Sequence, residues 1–160
     1  MVKIFIGAIL IMLCTFVGKN TTAKFTHKLK YYQCLTRFNL LLKQNLMYKQ
    51  DNLLKLLDFN FENSDFKTSL QSLKIVKYNE STSNELYFPE YLETEDIAFL
   101  TNYFTSLGRG NLDSEMENLL FYENEINEKV DKIADKNSKF SNLGQKLGFA
   151  IGMTVFIVIL

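Results

Sequence analysis

The residues of this chain whose types could do chemistry are few and scattered. The one glycine-rich stretch, Leu107-Gly108-Arg109-Gly110, has the backbone freedom of a phosphate-binding loop but lacks the Lys and the Ser or Thr that contact phosphate oxygens. It reads instead as a helix stop, with Gly108 and Gly110 as structural turn residues. The single histidine, His27, stands beside Lys28 with no acid or nucleophile at a useful spacing, so a solvated imidazole is the expectation. Cys14 and Cys34 on one helix would lie roughly 30 Å apart, too far for a disulfide, and no Cys or His cluster has ligand spacing. Asp113, Glu115, Glu117, Glu123, Glu125, Glu128, Asp131 and Asp135 crowd one segment in the pattern of a solvated helix face rather than of a paired acid and base. No catalytic residue, metal ligand or cofactor site is assigned, and the chain reads as a non-enzyme.

The elements that would position these side chains follow from hydrophobic spacing. At 160 residues, with a single Pro and seven Gly, there is material for one compact helical domain once the two apolar ends are set aside. From Lys24 to Tyr48, Phe25, Leu29, Tyr32, Leu35, Phe38, Leu42 and Leu46 recur at three- and four-residue steps, which predicts an amphipathic helix continuous with the apolar N-terminus. Asp51 can cap a short helix carrying Leu53 to Leu57, and Asn63 or Ser64 a third holding Phe66, Leu70, Leu73 and Val76. The polar stretch from Asn79 to Glu93, with Pro89, predicts a loop. Thr94, Glu95 and Asp96 open a fourth helix that ends at a left-handed Gly108. Asn111 or Asp113 opens the longest, whose seam of Met116, Leu119, Ile126, Val130, Ile133 and Phe140 is interrupted by Glu123 and Asn137.

The two ends are apolar. Ile4 to Gly18 holds no charged residue and lacks the small-residue pattern of a cleavage site, so an uncleaved anchor is expected over a signal peptide. Leu147 to Leu160 is the second apolar run, at about 21 Å shorter than the roughly 30 Å hydrocarbon layer. Leu143, Gly144 and Lys146 would have to extend it; a buried strand or helix of a soluble protein is the alternative. The expected division is anchor 1–19, soluble bundle 20–142 and anchor 143–160. Gly144, Gly148 and Gly152 share one helix face, and Gly7 and Gly18 share a face of the first anchor with Cys14, so these glycines are expected to pack against other helices unless their spacing is chance. Lys19, Lys24, Lys28 and Lys30 after the first anchor, and Lys132, Lys136, Lys139 and Lys146 before the second, place the bundle in the cytoplasm. The formal net charge of zero hides a basic first third, since the first acidic residue is Asp51. That balance does not support nucleic-acid binding. The fold class is all-α: a helical bundle between two transmembrane helices, its long last helix continuous with the second anchor, and its acidic face suited to the basic first helix.

This order of elements resembles the stage III sporulation protein AB family. The likeness lies in both apolar ends and in the stretch from Glu95 to Leu160. Leu107-Gly108-Arg109-Gly110-Asn111 looks like that family's Leu-Gly turn, Glu115 falls where Gln is usual, and Lys136-Asn137-Ser138-Lys139-Phe140 precedes a Leu-Gly-rich last segment. Gln44 to Leu54 lacks the family's acid and proline, and Asp58 to Glu93 carries no likeness, so the chain looks like a divergent member. The resemblance implies a cytoplasmic bundle similar to the inner-membrane platform proteins of type II secretion and type IV pilus machines. Such a subunit acts on the mother-cell side of the membrane around the forespore. Its implied partners are a secretion-type ATPase, similar to stage III sporulation protein AA, and other stage III sporulation membrane proteins of a secretion-like channel complex. The rival reading is a membrane-tethered adaptor or division-site scaffold outside sporulation, whose long helix dimerises through the Met116 to Phe140 seam. A secreted or lipid-anchored binding protein, processed near Cys14, is a third.

Overall fold

The computed structural model describes residues 2–49, 53–78 and 85–159, with side chains described for 23–48, 53, 55–78, 85–139, 150 and 154. Among the described residues five α-helices carry the fold: α1 (Val2–Gln44), α2 (Leu53–Leu57), α3 (Ser64–Tyr78), α4 (Thr94–Ser106) and α5 (Leu112–Ile159). No strand occurs among the described residues, and the chain is all-α. Two compact units divide it: residues 1–29 with 131–160, and Lys30–Val130.

Local chemistry accounts for the helix starts. The Asn63 side chain accepts the Phe66 N–H at 2.9 Å and so caps α3, and Asn111 accepts the Ser114 N–H at 2.9 Å and caps α5. At α4 the cap is Glu93, one residue before the expected Thr94. The Glu93 N–H donates to Asp96 Oδ2 at 3.1 Å within a capping box, and a carboxylate there also suits the helix dipole. The cap expected at Asp51 lies outside the described residues. The first α-helix ends earlier than the periodicity predicts. Gln44 closes it and Asn45–Lys49 forms a π-helical turn, which brings Asn45 inward and leaves Met47 and Tyr48 exposed.

In the Lys30–Val130 unit the core is aromatic on one side and mixed on the other. Tyr31, Phe38 and Phe61 meet Phe66 edge-on, with ring centroids 5.2, 6.0 and 5.0 Å apart. Tyr103 meets Tyr122 at 5.0 Å, and Phe88 stacks on Phe104 at 6.3 Å. The described part of the expected loop, 85–93, holds no helix, yet it belongs to this core: Phe88 is half-buried and the Tyr87 N–H donates to Ser72 Oγ at 3.0 Å. The α5 seam turns inward, with Leu119 at 1% and Ile126 at 0% exposure. Its interrupting Glu123 is paired with Lys43 of α1 at 2.5 Å. In the other unit Ile133 is buried, and Asn137 accepts a hydrogen bond from Thr26 of α1 at 3.1 Å. The expected contact between basic α1 and acidic α5 is therefore present.

The spanning helices expected at 1–19 and 143–160 find no support. Among the described residues, no helix is long and apolar enough to cross a membrane. The helices themselves do continue into both ends, α1 from Val2 and α5 to Ile159. Most side chains of the two runs lie outside the described set.

Burial sets the scale of what substitution should cost. Phe66→Ala, at a fully buried position touching three rings, is expected to lower unfolding stability by about 3–5 kcal/mol. Phe121→Ala, at 59% exposure, should stay within about 0.5 kcal/mol. Urea unfolding followed by circular dichroism distinguishes the two, and equal losses would contradict this account of the core.

Candidate functional site

The polar side chains of the Lys30–Val130 unit are spent on joining helices. The Tyr31 hydroxyl of α1 donates to Ser69 of α3 at 2.9 Å. Its neighbour Tyr32 points another way and donates to Asp96 of α4 at 2.8 Å. Asn39 of α1 accepts from Tyr103 of α4 at 3.0 Å and donates to the Leu119 carbonyl of α5 at 3.1 Å, so one amide ties three helices. Tyr91 donates to Asp65 at 2.9 Å. No buried side-chain polar atom among the described residues lacks a partner. Burial, with the Asp96 carboxylate beside it, pushes the Tyr32 hydroxyl far above the ordinary tyrosine value, and burial does the same to Tyr31, Tyr91 and Tyr103. Near neutral pH these phenols stay protonated and act as hydrogen-bond donors.

The α4–α5 connection is held at both ends. Leu107 is extended, with φ −60° and ψ 133°, and Gly108 follows in the left-handed region with φ +71°. The left-handed glycine thus follows an extended residue, rather than directly continuing α4. A Cβ on Gly108 would sit 3.5 Å from Leu53, an ordinary contact, so the demand at this position is on φ and not on space. A Cβ on Gly110 would meet the Ser114 hydroxyl. The Gly108 N–H donates to Glu115 Oε1 at 2.7 Å, and Lys77 of α3 donates to the Leu107 carbonyl. The N–H that a phosphate would seek is occupied by the chain's own carboxylate. Burial lowers the Lys77 pKa, with Glu115 opposing and Arg109 reinforcing that shift. Glu115 and Lys77 are the residues that sequence reasoning missed. The signal for Glu115 was its position seven residues after Gly108, within reach across one helix start.

Beside this turn lies an open groove of about 230 Å³ lined chiefly by Leu42, Leu46, Leu53 and Leu112, with Asn45 and Glu115 polar at its edge. Other expected residues do not gather there. His27 is exposed, and the Cys34 thiol is half-buried, its pKa raised by burial. Gly7 and Gly18 fall within α1, and Gly144, Gly148 and Gly152 within α5, but their surroundings lie outside the described side chains. Among the described residues no cluster of His, Cys, Asp or Glu could hold a metal ion.

The polar groups of α1 thus tie it to three partner helices, and comparison with known families places the chain. The family model described as stage III sporulation protein AB matches residues 3–160. The chain belongs to the stage III sporulation protein AB family. No curated protein and no solved structure matches it. The family match runs through Asp58 to Glu93, where the sequence alone carried no likeness, and this is a stage III sporulation protein over nearly its whole length. In this family member the Leu-Gly turn is the segment clamped by Lys77 and Glu115.

Two outcomes follow from this geometry. Gly108→Ala is expected to cost about 1–2 kcal/mol, because an L side chain is strained at φ +71°; Arg109→Ala, one position on and exposed, should be close to neutral in thermal unfolding. For pH, tyrosines of the unfolded chain ionise near 10, whereas the buried ones resist, so above that pH the folded state holds protons the unfolded state has lost. Their stabilisation is complete below about pH 10 and should fall as pH rises beyond it. A urea midpoint unchanged between pH 8.5 and 11 would contradict this, and Tyr32→Phe should reduce the slope.

Proposed function

We propose that this sporulation protein is a membrane platform subunit of the mother cell to forespore channel complex, presenting its helical bundle to a secretion-type ATPase. The observation that carries the reading is the family match over residues 3–160, joined to an architecture without an assigned catalytic group. Catalysis belongs to the partner. The apolar terminal runs, each continuing a long helix, serve in this reading as anchors, extended by snorkelling of Lys3, Lys19 and Lys146 and by local thinning of the bilayer. Thr154, within the last run, donates its hydroxyl to the Ala150 carbonyl at 2.9 Å, which removes one polar cost of placing it in lipid. Lysines flanking both runs favour a cytoplasmic bundle on the mother-cell side. Gly144, Gly148 and Gly152, with Gly7 and Gly18, are the proposed helix-packing positions toward other stage III sporulation membrane proteins.

The adaptor reading is weakened by its own seam. Leu119, Ile126 and Ile133, through which α5 was to dimerise, are buried within the chain.

The test is capture of the full chain in detergent by the host's secretion-type ATPase, with an unrelated helical membrane protein as control. Specific capture, together with retention of the chain in alkali-washed membranes, is the expected result. A folded chain that leaves the membrane on washing and is never captured at about 100 µM would overturn the platform reading.

A further inference from the structure

Two stripes on the surface of the Lys30–Val130 unit are alike in spacing and opposite in charge. On α1, Lys30, Gln33, Arg37, Leu40 and Gln44 recur at three- and four-residue steps and all are exposed; Met47 and Tyr48 continue the exposed surface into the π-helical turn. Leu40 is 46% and Met47 61% exposed. No carboxylate precedes Asp51, so this stripe is purely basic. On α5, Asp113, Glu117, Leu120 and Asn124 recur at the same steps, with Phe121 on the adjoining row, again all exposed, with Leu120 at 45%. On each stripe the charged positions come first along the helix and the large apolar side chains follow, on the helix face turned away from the core.

The fold leaves these charges unspent. Among the described residues, neither Lys30 nor Arg37 is paired with a carboxylate, and neither Asp113 nor Glu117 with a base. The Arg37 guanidinium lies 5.7 Å over the Phe59 ring, a contact that keeps its positive charge. The inward seam of α5 is already filled, so only its outward stripe is free to meet another helix.

We propose that the basic α1 stripe of one copy docks on the acidic α5 stripe of a second copy of this chain. Helices with matching three- and four-residue ridges interdigitate, which lets Leu40 and Met47 cover Leu120 and Phe121. With the two helices parallel, the opposite charges that precede the apolar side chains on each stripe meet, which selects this pairing and disfavours α1 on α1 or α5 on α5. A second copy is the occupant because both complementary halves belong to the same unit of one chain. The interface needs no ATPase and stands apart from the platform reading.

The experiment is sedimentation of the full chain in detergent at several concentrations, for the wild type and two charge-reversed variants, K30E/R37E and D113K/E117K. All four positions are exposed, and unchanged circular dichroism verifies folding. The wild type is expected to associate reversibly, more weakly as salt shortens the electrostatic reach. Each variant alone should be monomeric over the same range, and an equimolar mixture should associate again, because each reversed stripe then finds its opposite. Phe121→Ala should weaken wild-type association about tenfold. A wild type that stays monomeric at about 100 µM, variants that associate as well as wild type, or a mixture that remains monomeric would each overturn the proposal.

Discussion

Everything in the Lys30–Val130 unit depends on the requirement that a buried hydroxyl or amide find a partner. Neighbouring residues on a helix point about 100° apart, so Tyr31 and Tyr32 address different helices. One hydroxyl reaches Ser69 and the other Asp96. Two turns on, Asn39 bridges Tyr103 and the Leu119 carbonyl. Apolar packing alone tolerates sliding and repacking, whereas a phenol stranded without an acceptor costs about 1–3 kcal/mol. Three such pairings from one helix leave a single arrangement of α3, α4 and α5 around α1.

The charged groups add a second layer. Lys43 and Glu123 meet at the edge of the core, and Lys77 and Glu115 close the two sides of one turn. These contacts sit at boundaries between elements, where water is partly excluded and the screening that weakens surface pairs is reduced. The two layers differ in depth: buried polar pairs join α1 to α3, α4 and α5, and the charged pairs lie nearer the surface.

Much of this was legible in the sequence, for reasons that can be traced to residues. Helix spacing is written by Leu35, Phe38 and Leu42 on α1 and by Leu119, Ile126 and Ile133 on α5, because burial demands repetition along one face. The caps at Asn63 and Asn111 are short-range chemistry and were readable as well. What escaped was relational. No local pattern says that Tyr32 seeks Asp96 or that Glu115 turns back to Gly108, since the two partners are brought together only by the finished fold. The shift of the α4 cap to Glu93 escaped because a carboxylate in the cap position looks the same in sequence as one in the first turn. The expected anchors fall mostly on side chains outside the described set, and Asp58 to Glu93, where the sequence alone carried no likeness, lies inside the family match.

The π-helical turn at Asn45–Lys49 bears on how this lineage can change length. Such a turn holds one residue more than the α-helical hydrogen-bonding pattern, so it acts as a phase marker between the face that α1 buries and the face presented by whatever follows. Gain or loss of a single residue there would turn the exposed Met47 and Tyr48 by about 100° relative to the face on which Asn45 is buried.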